Sequence, residues 1–313
     1  PAATSSPCMP NDPRTSLAPG SQIDCYRIRR LIGSGGFSLI YLAEDEDLHD
    51  EVAIKEYLPR AYAVRDTHGQ MRALDSTKLT SLHRGRALFH KEASILGALR
   101  HTNIVNVRNC LQQNQTSYLV MDYAPGRNLG QYIKQRRGGM STHFLLHVFP
   151  PLLDALAQIH ERGMLHLDIK PANIHLATGR RPLLLDFGAV YRLDEDKTQR
   201  RTNVISPGFS PLEQYASAGD IGPWSDIYAV GATMRACVEG VVPLAAAERK
   251  IKDTLPPAAG RFRKTHPEPL LQLIDWAMAL DRYARPQSAA TLRDRLLLLR
   301  ETITPEETFD ETE

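Results

Sequence analysis

His166-Leu167-Asp168-Ile169-Lys170-Pro171-Ala172-Asn173, followed thirteen residues after Asn173 by Asp186-Phe187-Gly188, organises the rest of this 313-residue chain. The stretch sets two carboxylates, one amide and one cation at fixed spacing. Asn173 and Asp186 offer hard oxygen ligands of the kind Mg²⁺ prefers. Asp168 is placed to accept a proton from an attacking hydroxyl, and Lys170 to neutralise a moving phosphoryl group. A lone His-x-Asp would be weak, since any polar loop can carry it. The full spacing is specific, and further pieces of the same signature stand in order around it.

Upstream, Tyr26 to Ile32 alternates as a strand, and a second strand runs from Leu39 to Ala43. Between them lies Gly33-Ser34-Gly35-Gly36-Phe37-Ser38. Glycines in a strand-turn-strand let backbone N–H groups approach phosphates closely. The pattern departs from GxGxxG at its last position, where Ser38 stands. Val52-Ala53-Ile54-Lys55 reads as a short buried strand ending in lysine. Residues 79 to 99 read as a helix, with Leu88, Phe89, Leu96 and Leu99 on the inward face. Glu92 shares that face, where a carboxylate is costly unless paired. Lys55 is its expected partner, and the pair would aim the ammonium at nucleotide phosphates.

Taken together these motifs resemble the Hanks family of eukaryotic-type protein kinases, across roughly residues 22 to 298. The long segment between Lys55 and Glu92, beginning Glu56-Tyr57-Leu58-Pro59-Arg60, resembles bacterial members. Among these it resembles especially the PpkA-like threonine kinases of type VI secretion. The resemblance implies an α+β, two-lobed protein kinase fold. The small lobe would hold an antiparallel sheet and one key helix, and the large lobe would be mainly helical, with ATP between them. Expected boundaries are a lead-in over 1–20, the small lobe and hinge over 21–124, the large lobe over 125–300, and an acidic tail over 301–313.

The same resemblance implies the site. Asp168, Lys170, Lys55 and Glu92 would be catalytic, and Asn173 and Asp186 would hold the metal. Ile32, Gly33, Ser34, Gly35, Gly36, Phe37, Ile40, Ala53 and Lys55 would contact the nucleotide. Met121 falls at the gatekeeper position, and the backbone of Asp122 and Ala124 would read the adenine edge. His175 would lie beneath the adenine, where an aliphatic residue is usual. Lys170, two residues after Asp168, is the serine/threonine form. Ser206-Pro207-Gly208-Phe209-Ser210-Pro211-Leu212-Glu213 is similar to the substrate-binding region, with Ser206 in place of Thr and Leu212 in place of Pro. Glu213 would pair with Arg285, and Asp226 would hold the backbone of the His166 loop. Leu167 replaces the arginine through which many kinases sense a phosphate on the activation segment, here residues 191 to 203. Cofactors implied are ATP and Mg²⁺, with Mn²⁺ as an alternative.

Composition is compatible with this reading. The chain is 42% hydrophobic, enough for a real core, and its net charge of +2 points to neither nucleic acid nor an anionic membrane. No run approaches the about 18 apolar residues of a membrane span, and no signal peptide is visible. Cys8, Cys25, Cys110 and Cys237 have no metal or disulfide spacing and read as scattered reduced thiols. A cytoplasmic location is expected, with any anchor lying in a segment absent from this chain. His143 and His147 stand four apart but lack a third ligand and read as core-edge histidines. Ser141 or Thr142 should cap a helix to about Arg162, kinked or split at Pro150 and Pro151. Expected partners are proteins bearing Ser or Thr, a second copy for trans-autophosphorylation, and a forkhead-associated protein reading a phosphothreonine near Thr304 or Thr308. The main rival is a pseudokinase scaffold that binds nucleotide without turnover. Such a scaffold normally lacks Lys55, Asp168 or the metal ligands. A small-molecule phosphotransferase has no reason to carry the Ser206–Glu213 segment.

Overall fold

A six-stranded antiparallel sheet is the base of the first unit. The computed structural model describes residues 16–193, 204–216 and 220–303. It divides into two compact units, Pro1–Arg100 with Val105–Ala124, and His101–Ile104 with Pro125–Glu313. Residues 1–15, Thr198, Thr202, Thr304 and Thr308 lie outside the described residues.

In the first unit, β1 (Gln22–Ile23), β2 (Tyr26–Ser34), β3 (Ser38–Asp45) and β4 (Asp50–Tyr57) follow in sequence. A short hairpin comes next, β5 (Ala63–Arg65) and β6 (Met71–Ala73), then helix α1 (Leu79–Ala98). Strands β7 (Val107–Gln113) and β8 (Thr116–Asp122) complete an antiparallel sheet in the order β1-β2-β3-β4-β8-β7. Six of the seven β8 residues are buried, as expected of a strand covered on both faces. Helix α1 buries Leu82, Phe89 and Leu96, spaced by seven, together with Glu92, Ala93 and Ile95. Leu88 departs from its expected place. It lies at the edge of that stripe and is exposed, because the buried face is centred on the Leu82-Phe89-Leu96 line. Ser16 and Leu17, in the stretch read as lead-in, are buried, and the Leu17 N–H donates to Tyr41 Oη at 3.1 Å.

The second unit opens with β9 (Gly126–Asn128) and α2 (Leu129–Arg136), joined by a capping box of Asn128 and Gln131. Helix α3 (Thr142–Glu161) is capped by Ser141, whose hydroxyl accepts from Phe144 N–H at 3.1 Å. It runs through Pro150 and Pro151 as one element and is not split in two. Each interior proline costs about 3 kcal/mol. Against that stand Leu145, Val148, Phe149, Leu153 and Leu156, almost fully buried, each contributing roughly 1.5–3 kcal/mol.

Short strands β10 (Met164–Leu165), β11 (Ile174–Ala177), β12 (Pro182–Leu184) and β13 (Tyr191–Arg192) frame the two loops of the candidate site. Strand β10 pairs with β13, and β11 lies between β12 and β9. Helices α4 (Leu212–Tyr215), α5 (Pro223–Glu239), α6 (Ala246–Ile251), α7 (Ala258–Arg261), α8 (Glu268–Ala277) and α9 (Ala289–Thr302) follow. Residues 225 to 238 of α5 are buried on every side, which makes it the axis of this unit. Among the described residues no helix is long and apolar enough to cross a membrane.

Candidate active site

In the first unit, sheet register brings the expected nucleotide contacts onto one face. Gly33 pairs with Ile40, Ile40 with Lys55, and Ala53 with Met121. Residues two apart on a strand share a face, so these side chains line up across β2, β3, β4 and β8. Ile32 and Phe37 are exposed beside them. The turn is closed by Gly35 N–H donating to Ser38 O at 2.8 Å, and the space around Gly36 is open. A backbone this bare can approach phosphate oxygens. Lys55 Nζ lies 2.8 and 3.1 Å from the two Glu92 carboxylate oxygens, in a pair that is nearly buried on both sides. At the end of β8, the Asp122 carboxylate accepts from Asn106 and Arg108, and its N–H donates to Asn106 O at 3.0 Å.

In the second unit the His166 loop is held by bonds from several elements. Asp226, fully buried on α5, accepts the N–H of His166 at 2.9 Å and of Leu167 at 2.8 Å. His160 Nε2 lies 2.8 Å from the same carboxylate. Burial alone would raise the Asp226 carboxyl, but the bond to His160 and the charges of His160 and His166 outweigh it and hold it below its ordinary range. Gln214 Nε2 donates to Leu167 O at 2.8 Å. His166 Nε2 lies 3.2 Å from Leu185 O, and its ring meets Phe187 edge-on at 5.0 Å. Leu167 and Asp186 both stand in the left-handed region, at φ +61° and +60°. Such positions cost non-glycine residues of order 1–3 kcal/mol each and persist only where surrounding bonds over-determine them.

That scaffold gathers the expected catalytic groups of this unit. Lys170 Nζ lies 2.9 and 2.8 Å from the two oxygens of Asp168. Ser206 Oγ donates to Asp168 Oδ1 at 2.7 Å and accepts from Lys170 at 3.0 Å. Asn173 Nδ2 donates to Asp168 Oδ2 at 2.9 Å and to its backbone O at 2.8 Å. The β11–β12 register places Ile174 opposite Leu184, and Leu185 N–H donates to Asn173 O at 2.9 Å, so Asn173 stands beside the residue preceding Asp186. His175 is half-buried on β11, opposite Asn128 and Leu183. Glu213 and Arg285 meet at 2.7 Å and are almost fully buried. His143 and His147 stack at 6.2 Å on α3, and among the described residues they form no metal-holding group.

Sequence reasoning missed Gln214, His160 and Glu56. Gln214 and His160 act on the loop only through contacts 47 and 66 residues away in the chain, which no local pattern reveals. Glu56 left a signal: a carboxylate at the end of a buried strand needs a partner.

The family model described as protein kinase domain matches residues 26–297. The chain is 28% identical over 269 residues to serine/threonine-protein kinase PrkC of Bacillus subtilis, covering 84% of this chain and 39% of that protein. It is 29% identical over 288 residues to serine/threonine-protein kinase PksC of Streptomyces coelicolor, covering 87% and 48%. With serine/threonine-protein kinase PknJ of Mycobacterium tuberculosis it shares 30% over 236 residues, covering 74% and 36%. The chain thus spans less than half the length of these curated relatives. Among solved structures, the apo form of PpkA-294 superposes with a TM-score of 0.82 at 31% identity, covering 90% of this chain and 99% of that one.

Proposed function

The chain belongs to the protein kinase family, and on that premise we propose that it transfers the γ-phosphoryl group of ATP to serine and threonine hydroxyls of proteins. The observation that carries this reading is the Asp168 cluster, a buried carboxylate bonded to Lys170, Ser206 and Asn173. Asp168 accepts the proton of the incoming hydroxyl. Lys170 stabilises charge on the transferred group, and Lys55, held by Glu92, positions the phosphates beneath the Gly33–Phe37 turn. Phosphoryl transfer asks mainly for positioning and charge stabilisation, which this set supplies. Ile32, Ile40, Ala53, Met121 and His175 would contact the base, with the backbone of Asp122 and Ala124 reading its edge.

The donor set of Asn173 and Asp186, an amide and a carboxylate drawn near each other by the Leu185 N–H bond to Asn173 O, fits Mg²⁺ or Mn²⁺, which take oxygen ligands. Held by Asn173 and Asp186, such an ion would supply charge neutralisation at the phosphates. Two substitutions test the division of labour. Asp186→Asn should weaken Mg²⁺-dependent ATP binding and abolish turnover. Asp168→Asn should abolish turnover with nucleotide affinity nearly intact. Wild-type turnover in Asp168→Asn would show the assigned base to be wrong.

The finer reading is bacterial signalling tied to type VI secretion, through a forkhead-associated protein that reads phosphothreonine. Its support is the resemblance to PpkA-like kinases, the 31% identity to PpkA-294 and the threonines of the acidic tail, Thr304 and Thr308. Autophosphorylation in trans by a second copy would modify that tail. Mapping phosphate by mass spectrometry, then measuring binding to a forkhead-associated domain with and without residues 301–313, tests it. An unmodified tail, or binding indifferent to its removal, refutes it.

A further inference from the structure

Between Lys55 and helix α1 the chain detours through β5 and β6, and this detour is fastened to both faces of the sheet. Along β4 side chains alternate, so Lys55 and Tyr57 share the face that carries α1 and Glu56 points to the other. Glu56 is fully buried. It accepts from Tyr41 Oη at 2.8 Å and Tyr118 Oη at 3.0 Å, and pairs with Arg65 of β5. Burial, with the Glu56 charge adding to it, pushes both tyrosine hydroxyls up, so they stay protonated as donors. Arg65 also donates to Gly69 O at 2.6 Å across the hairpin turn. The hairpin is tied a second time where Met71 N–H donates to Asn114 O at 2.7 Å.

On the opposite face Tyr57 reaches the helix. Its hydroxyl, pushed up to about 12 by burial, lies 3.1 Å from Leu82 O, and its ring lies 5.9 Å from Phe89. A Cβ at Gly85 would come within 2.0 Å of Tyr57 Oη and 2.9 Å of its Cζ, so the tyrosine ring and hydroxyl seat against α1 where only a glycine leaves room. The first residues of the detour also hold the glycine turn. Leu58 N–H donates to Phe37 O at 2.9 Å, and Arg60 N–H to Gly36 O at 3.1 Å. At the far end Asp75 accepts from Thr77 N–H at 2.8 Å, capping the helical turn that leads into α1. The hairpin does not lie flat on the helix: a groove of about 600 Å³, lined by Met71, Ala73, Leu79, Leu82 and Arg86, opens there. The restraint therefore passes through Tyr57 and the Asp75 turn.

We propose that this detour is a built-in clamp that pre-assembles the phosphate-holding half of the kinase site, with Glu56, Arg65, Tyr57 and Gly85 as positioning residues. It holds the glycine turn with one end and sets α1 so that Glu92 meets Lys55. The inference rests on the kinase reading for its consequence, since placement of Lys55 matters only if phosphates are bound. Displacement of a positioning group by about 1 Å can cost about a hundredfold in rate. The chain itself thus supplies the order that would otherwise have to come from a partner or a modification.

Three variants test this: Gly85→Ala, Tyr57→Phe, and the charge-neutral pair Glu56→Gln with Arg65→Met. Each is compared with wild type below its thermal unfolding transition. Gly85→Ala should lower kcat/KM for ATP about tenfold or more, and Tyr57→Phe about threefold, by analogy with other misplaced positioning groups. In a Glu92→Gln background the same changes should cost less than about twofold, because residues acting through one group are non-additive. Displacement of a fluorescent nucleotide gives the same cycle without turnover. Amide exchange in α1 should rise in the Glu56→Gln, Arg65→Met protein. Equal losses with and without Glu92, or wild-type α1 exchange and ATP affinity in all three variants, would overturn the clamp. If wild type itself transfers no phosphate while the variants still lose nucleotide affinity, the kinase reading fails and the clamp stands.

Discussion

Replacing Arg285 by methionine removes five hydrogen bonds from a place that water does not reach. The guanidinium donates to Glu213 Oε1 at 2.7 Å and Oε2 at 3.3 Å. It also donates to the backbone carbonyls of Ala279 at 2.7 Å, Leu280 at 3.1 Å and Trp224 at 3.1 Å, and lies 4.9 Å above the Tyr228 ring. Methionine keeps much of the stem's volume but offers no donor. Glu213, left buried, would keep the hydroxyl of Ser225 at 2.9 Å. Breaking a buried pair by removing one partner costs about 3–5 kcal/mol. The abandoned carbonyls add to that, and local relaxation takes some back, so about 4 kcal/mol is expected. At roughly 2–4 °C per kcal/mol for a unit of this size, Tm should fall by about 8–16 °C.

Activity should fall at temperatures where the variant is still folded. Glu213 adjoins Gln214 on α4, and Gln214 holds the Leu167 carbonyl of the catalytic loop. Adding Glu213→Gln removes the stranded charge and should recover more than about 1 kcal/mol, the signature of coupled neighbours. Thermal and urea unfolding measure the first quantity, and initial rates at 20 °C the second. A loss below about 1 kcal/mol, or a double variant no more stable than Arg285→Met alone, would refute the reasoning.

Phosphatase treatment that strips the segment around Thr198 and Thr202 should change initial rates by less than tenfold, or about 1.4 kcal/mol. Leu167 lies in an apolar cluster with Leu165, Tyr191 and Ile221, and offers no charge to a phosphate; a larger drop would require another cation, with Arg192 the first to test. Asp226→Asn should cut turnover more than about tenfold with little change in ATP affinity, because it loosens the catalytic loop alone; unchanged turnover would count against the loop's dependence on α5. His266, buried with Nδ1 3.0 Å from Thr142 Oγ1, has its pKa lowered by burial. Its neutral form is favoured in the folded chain, so stability is full above about 6.5 and declines as pH falls through that value toward the lower folded pKa. His266→Gln should flatten the Tm–pH profile between pH 7 and 5, and an unchanged profile would show the histidine to be irrelevant.

Spacing made the gathering of Asp168, Lys170 and Asn173 legible, because the base, cation and metal ligand expected for phosphoryl transfer have little freedom in their order. Glu92 was legible for another reason: a carboxylate on an apolar helix face must have a partner, and Lys55 was the lysine at hand. Glu213, Arg285 and Asp226 needed the family resemblance, since their partners lie 59 to 72 residues away. The β5–β6 hairpin stayed hidden because strands of three residues carry no measurable period. That helix α3 would stay unsplit across its prolines was not legible, because a local penalty of about 6 kcal/mol for two prolines is outweighed by packing that only the fold supplies. Leu88 was misplaced because a stripe read from four residues leaves the edge of a helix face undefined.

The strained Leu167 gives two of the buried polar groups of the second unit their task. A left-handed leucine survives only if both sides of its peptide are bound, and here Asp226 takes its N–H while Gln214 takes its carbonyl. Asp226 belongs to the buried helix α5, and Gln214 to α4, which Arg285 fixes through Glu213. The conformation that aims Asp168 is therefore paid for by the helical core. Lys55 is served in a parallel way by Glu56, Arg65 and Tyr57 in the first unit. In both units the charged group proposed to act on phosphate is placed by buried hydrogen bonds, and buried bonds are screened by salt far less than exposed ones. That is the physical basis for expecting phosphatase treatment to leave initial rates within tenfold of those of the untreated protein.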